Sequence, residues 1–201
     1  MKIAVYGGSF NPLHIGHLAI MKHLVGVAGF DAVYLVVSPK NPLKDISCDS
    51  AQERYNAAVE AVNRHFVDTA DQESWNDQTV AARATRVRVD DIELNMPPPH
   101  YSIRTLNALK EREPENDFTL IMGADNLAII RNWKEYRTIL KDFGVAVYPR
   151  EGHDLAEIKQ DLLKEDPAYK IHLLDAPLVT VSSTEIREAL SNGEDISRLL
   201  M

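Results

Sequence analysis

Lys2-Ile3-Ala4-Val5-Tyr6-Gly7-Gly8-Ser9-Phe10-Asn11-Pro12-Leu13-His14-Ile15-Gly16-His17 is the stretch on which the fold turns. Lys2 to Tyr6 is a short apolar run of the kind that forms a buried strand. Between Ile15 and Val27, Leu18, Ile20, Met21, Leu24 and Val25 recur at a spacing closer to a helix than to a strand. The order is strand, double-glycine turn, helix. Gly7 and Gly8 alone could serve only a tight turn that needs positive φ. The next residues add chemistry: Asn11 offers an N-cap and Pro12 a first helical position, so free N–H groups are expected to face the turn. Such a terminus favours anions. His14 and His17, three residues apart, fall on one helical face, which points to a phosphate-binding pair. A metal pair lacks support, because no carboxylate or cysteine stands nearby in sequence to complete a site.

Outward from this stretch the alternation continues. Ala32 to Val37 is a continuous apolar, β-branched run, the pattern of a strand covered on both faces. It ends in Ser38-Pro39-Lys40-Asn41-Pro42-Leu43-Lys44, a loop stiffened by two prolines. Ala51 to Phe66 is helical, with Tyr55, Ala58, Val59 and Val62 on one face. Residues 68–85 are polar and weakly periodic, an excursion from the core. A strand is expected over Val87 to Leu94, a helix over Tyr101 to Arg112 and a buried strand over Phe118 to Met122. The last of these ends in a second polar turn, Gly123-Ala124-Asp125-Asn126. Helical segments to Asp142, a strand over Val145 to Tyr148, a helix over Leu155 to Lys164 and a strand over Ile171 to Leu174 come next. Val179 to Arg187 turns into a final helix that Gly193 closes. This alternation predicts an α/β fold: a doubly wound, mainly parallel, Rossmann-like sheet with helices on both faces, in one domain spanning 1–201. Ligands of such sheets sit beyond the carboxyl ends of the strands. Gly7 to His17, Pro39 to Lys44, Gly123 to Asn126 and Val181 to Arg187 all belong to that edge.

A formal net charge of −8 argues against a nucleic-acid polymer as partner, since such affinity comes from Lys and Arg neutralising phosphates. A small nucleotide in a local basic pocket is compatible with it. The single cysteine, Cys48, forms no internal disulfide and offers no thiolate cluster. The chain enters a strand at once, leaving no room for a leader, and no apolar run approaches the roughly 18 residues of a membrane helix. A cytoplasmic protein without a membrane anchor is expected.

Two motifs carry a resemblance. Gly7 through His17 resembles the signature of the adenylyl- and cytidylyltransferase superfamily, which has H-x-G-H after its first strand. Ser182-Ser183-Thr184-Glu185-Ile186-Arg187 resembles that superfamily's second motif, S-S-T-x-I-R. Ser182 with Glu185 also fits a capping box, a reading that leaves Arg187 unexplained. Three further stretches resemble bacterial nicotinate-mononucleotide adenylyltransferases: Asn41-Pro42-Leu43-Lys44 with Arg54 beyond it, His100 through Leu106, and Gly123-Ala124-Asp125-Asn126 with Trp133 after it.

The resemblance implies a single nucleotidyltransferase domain that moves an adenylyl group from ATP to nicotinate mononucleotide, with Mg²⁺ carried by ATP and no metal held by the protein itself. It implies His14, His17, Lys44 and Arg187 as catalytic. It also implies Gly7, Gly8, Ser9, Phe10, Asp125, Ser182, Ser183 and Thr184 around ATP, with Tyr101, Ser102 and Trp133 around the pyridine nucleotide. Other acceptors (nicotinamide mononucleotide or phosphopantetheine), a cytidylyl reaction, and a non-catalytic nucleotide sensor are the alternatives. Two departures stand out. Residues 68–85 look like an insertion, a lid or a subunit contact that leaves a homo-oligomer open. Leu199-Leu200-Met201 ends where the resembling proteins continue, which puts a contact from their tail in doubt.

Overall fold

The structure, a computed structural model, describes residues 1–39, 50–66, 86–176, 178 and 181–201. Lys44 and the 68–85 excursion lie outside the described residues.

Six strands form one sheet: β1 Lys2–Gly8, β2 Ala32–Val37, β3 Val87–Asp90, β4 Asp117–Gly123, β5 Val145–Tyr148 and β6 Ile171–Leu173. Their order is β3-β2-β1-β4-β5-β6, and every pairing is parallel. The chain begins at the middle, steps outward to β3, returns to the other side of β1 and steps outward again. Strand order therefore reverses between β1 and β4, and Gly8 and Gly123 end the two strands that flank the reversal.

Alternation along the strands divides the core. Ala4 and Tyr6 of β1 and Val33, Leu35 and Val37 of β2 face α1 (Ile15–Gly26) and α2 (Ala51–Phe66), meeting Met21, Leu24, Ala58 and Val62. Ile3 and Val5, with Tyr34 and Val36, face the opposite layer. There α3 (Ser102–Arg112), α4 (Ala124–Ala128) and α5 (Leu155–Glu165) supply Ile103, Leu106, Leu127 and Leu162. All six residues of β2 are buried, which is why its sequence is apolar without interruption. A last helix, α6 (Ser183–Ser191), comes after β6 and buries Ile186.

Two expectations are corrected. The strand expected to Leu94 ends at Asp90, because the Asp90 carboxylate turns the chain. One oxygen accepts from Ile92 N–H at 3.1 Å, and Arg112 grips both oxygens. The first helix starts at Ile15 rather than Pro12. His14 is held extended by residues 199–201, with Ile15 N–H donating to Leu199 C=O at 3.0 Å and an antiparallel bridge between His14 and Leu200. His14 is therefore the N-cap, and its carbonyl accepts from His17 N–H at 2.9 Å.

Leu35 is completely buried in the strand with both faces covered. Leu35→Ala is expected to cost about 2–5 kcal/mol in urea unfolding, through lost transfer energy and a residual cavity. Leu190→Ala, at a half-exposed position, should change stability by no more than about 0.5 kcal/mol.

Candidate active site

Neither Gly7 nor Gly8 has positive φ, so a turn conformation does not explain them. Their surroundings do. A Cβ on Gly8 would lie 3.0 Å from the Phe10 ring, whereas one on Gly7 would meet nothing within 4 Å. The absence of a side chain at Gly7 thus leaves backbone open to whatever enters from solvent. Phe10, in the left-handed region at φ 45°, turns its ring into the core. There it packs edge-on to Tyr6 at 5.6 Å and to His17 at 5.2 Å.

The two imidazoles stack with ring centroids 3.7 Å apart. His17 Nδ1 accepts a hydrogen bond from His14 N–H at 3.2 Å, so the proton of the neutral ring resides on Nε2. Burial lowers the His14 pKa to about 4, with the Arg150 guanidinium adding to the shift. Burial, then His14, then Arg150 push His17 well below the ordinary value. Both rings are neutral at pH 7, hydrogen-bond donors rather than cations.

The second motif is fastened to this loop. Arg187 Nη1 donates to Asn11 C=O at 2.6 Å, Arg187 Nη2 to Thr184 Oγ1 at 3.1 Å, and Ser183 Oγ to Pro12 C=O at 3.1 Å. Ser182 is the N-cap of α6: its hydroxyl accepts from Glu185 N–H at 3.2 Å, and the Glu185 carboxylate accepts from Ser182 N–H at 2.8 Å. The capping box is real, and Arg187 has its own task beside it. Residues 171 and 176 positions apart are joined in this way, so the two motifs form one structure.

Beside them, at the strand-order reversal, lies a cavity of about 260 Å³. Gly7, Gly8, Tyr101, Ser102 and Trp133 line it, as do Tyr6 and Tyr148. Tyr6 links this wall to the histidines, its ring 6.0 Å from His17. His14, His17, Asp125, Arg187 and the 182–184 hydroxyls stand outside the lining. Asp125 is exposed in the first turn of α4, and Ser9 contributes its carbonyl to Arg54.

Three residues at this edge escaped the motif reading or entered it without a role. Buried Arg54 donates to Ser9 C=O at 2.6 Å, Ser38 C=O at 2.9 Å and Pro39 C=O at 2.9 Å, tying the turn after β1 to the turn after β2. Buried Glu93 accepts from Ser38 Oγ and Thr105 Oγ1, each at 2.6 Å, inside the cavity wall. Arg150, just after β5, lies over Tyr148 at 5.5 Å and helps hold both histidines neutral. Its place past a strand's carboxyl end was the available signal. Among the described residues no three His, Cys, Asp or Glu side chains are grouped to hold a metal, and no helix is long and apolar enough to cross a membrane.

Residues 5–189 match the cytidylyltransferase-like family. A Flavobacterium johnsoniae protein named a probable nicotinate-nucleotide adenylyltransferase is 37% identical over 200 residues, covering 100% of this chain and 92% of its own length. A Bacteroides fragilis protein of the same name is 35% identical over 199 residues, covering 99% and 87%. Among solved structures, the Plasmodium falciparum nicotinic acid mononucleotide adenylyltransferase complexed with NaAD superposes with a TM-score of 0.70 at 20% identity. The superposition covers 98% of this chain and 87% of that one, a likeness of fold.

The depressed histidine pKa values set a pH dependence. A folded-state pKa below the unfolded value means that the unfolded chain binds more protons as pH falls. Stability is therefore complete above about pH 6.5 and declines toward pH 4. Urea midpoints measured from pH 7 to pH 4 should fall less steeply in His14→Gln than in the unsubstituted protein. NMR titration should place His14 protonation near pH 4.

Proposed function

The chain belongs to the cytidylyltransferase-like family, and from that membership we propose that it transfers the adenylyl group of MgATP to nicotinate mononucleotide. The products are nicotinate adenine dinucleotide and pyrophosphate, a step of NAD biosynthesis. Full-length relatives with that name support the substrate. The observation that carries the reading is the joint between the two motifs: Arg187 and Ser183 are bonded to Asn11 and Pro12 at the reversal of strand order, beside a cavity walled by Tyr101, Ser102 and Trp133.

A phosphate oxygen of the acceptor attacks the α-phosphorus of ATP. A new P–O bond forms, the bond from that phosphorus to the α,β-bridging oxygen breaks, and pyrophosphate leaves with the electron pair. The acceptor phosphate has a second pKa of about 6, so it arrives largely as a dianion and needs no general base. The protein's work is alignment and stabilisation of charge. His17 donates Nε2–H to an α-phosphate oxygen, because its Nδ1 is committed to the backbone. His14, stacked on it, acts on the same phosphate. Neutral rings donate before charge develops, and the incoming phosphates then draw their pKa upward.

Arg187 commits two of a guanidinium's five donors to the clip, leaving others for the departing phosphates. The start of α6, with Ser182, Ser183 and Thr184, adds its N-terminal N–H groups there. Lys44 has the same phosphate role in the proposal. Gly7, Gly8, Ser9 and Asp125 border ATP, and Phe10 supports the histidines from beneath. Trp133 stacks on the pyridine ring, with Tyr101 and Ser102 beside it. Mg²⁺ enters as part of the nucleotide substrate and offsets charge on its phosphate oxygens.

Pyrophosphate release should occur with MgATP and nicotinate mononucleotide. Its absence with every pyridine mononucleotide would refute the proposed reaction, and ATP binding without turnover would identify a sensor. His17→Ala should lower kcat on the order of 10²–10³-fold, as loss of a single transition-state donor does. Gly7→Ala meets no neighbour, so it should preserve the urea midpoint while raising KM for ATP.

A further inference from the structure

The two histidines are held differently. His17 has a hydrogen bond at Nδ1, accepted from His14 N–H at 3.2 Å, and the Phe10 and Tyr6 rings beside it. His14 has no such anchor: its Nδ1 is buried without a hydrogen-bond partner among the described residues, and the ring packs on His17 with centroids 3.7 Å apart. Where the His14 ring points is therefore set by its backbone, which is extended at φ −140° and ψ 169°. The same backbone aims the N–H that fixes His17. Both rings depend on one pair of dihedral angles.

Residues 199–201 hold those angles. Ile15 N–H donates to Leu199 C=O at 3.0 Å and Met201 N–H to Leu13 C=O at 3.5 Å, the two bonds that flank the bridge of His14 with Leu200. In an antiparallel pair of this narrow kind the facing residues make no bond to each other and their side chains leave the same face, so Leu200 projects on the same side as His14. Met201 is the anchor. Its side chain is buried in the core that takes Tyr6, Phe10 and Leu13, and its main-chain oxygen accepts from Arg64 Nη1 at 3.4 Å. The local sequence favours a different arrangement: Asn11-Pro12 has the chemistry of a helix start. A helix begun there would give His14 helical dihedrals and turn its N–H away from His17 Nδ1.

We propose that residues 199–201 are a positioning strap for the transfer reaction: their main-chain pairing with Leu13 and Ile15 keeps His14 extended against the local preference for helix, and so aligns both imidazoles with the reacting phosphate. The inference rests on the adenylyl-transfer reading above and adds to it what holds the histidines in register. The strap acts through the imidazoles rather than on either nucleotide, so its effect belongs in kcat and not in KM.

Two variants loosen the strap by different routes. Met201→Pro removes the N–H that bonds Leu13 C=O, and deletion of residues 199–201 removes both bonds. Each should lower kcat for pyrophosphate release about 10–100-fold, the scale of a misplaced catalytic group, with KM for MgATP and nicotinate mononucleotide little changed. ¹⁵N NMR of the imidazoles reads a signature that lost stability alone does not move. His17 should be the Nε2–H tautomer in the unsubstituted protein and a mixture of tautomers in both variants. Leu35→Ala, a buried truncation that leaves the strap intact, should lose stability yet keep kcat and the single tautomer. An unchanged kcat in both variants, a rise in KM without a fall in kcat, or an equal fall in Leu35→Ala would overturn the strap. If the unsubstituted protein releases no pyrophosphate, adenylyl transfer is refuted and the tautomer decides alone: a His17 that stays wholly Nε2–H without residues 199–201 would overturn the strap as well.

Discussion

One charged hydrogen bond, from Arg187 to the Asn11 carbonyl, spans 176 positions of sequence and holds the site together. A guanidinium donating to a carbonyl contributes roughly 1.5–3 kcal/mol. Its structural effect is larger than that figure suggests, because the same carbonyl belongs to the loop that presents the histidines. The Ser183–Pro12 bond reinforces it from the neighbouring position, and the His14–Leu200 bridge holds the far side of the loop. The loop is thus gripped from both sides by the C-terminal end of the chain, in α6 and beyond it.

Holding the loop this way has an electrostatic consequence. His14 is buried, and the packing that buries it keeps both imidazoles neutral, aided by Arg150 across the edge of the sheet. Donors of fixed direction, with cations nearby, suit a reaction in which negative charge is redistributed among phosphate oxygens. Arg54 performs the corresponding task on the other side of the site, where it converges three carbonyls from two turns. Removing this geometric tie would loosen the β1 and β2 turns together.

The parallel doubly wound sheet was legible from uninterrupted apolar runs such as Ala32–Val37 and their alternation with helices. Both motif turns and the Gly123 turn were legible as well, because glycine and capping residues leave local signatures. The start of α1 was not: Asn11-Pro12 has the chemistry of a helix start, and pairing with residues 199–201 overrode it. Nor was the end of β3, where the alternating pattern continues to Leu94 but Asp90 bonds to Ile92 N–H and Arg112. Arg150, Glu93 and the carbonyl ties of Arg54 show the same limit. Each is an ordinary charged residue in sequence, and only the return of distant strands to one edge reveals what it faces.

The loop holding His14 and His17 and the helix holding Arg187 are proposed to form one centre, with the reacting phosphate between them and the pyridine in the adjoining cavity. A crystal structure with nicotinate mononucleotide and a non-hydrolysable MgATP analogue measures this directly. The α-phosphate should lie within hydrogen-bonding distance of His17 Nε2, and the pyridine ring against Trp133. Nucleotide phosphates seated away from both motifs, or a pyridine ring outside the cavity, would contradict that arrangement.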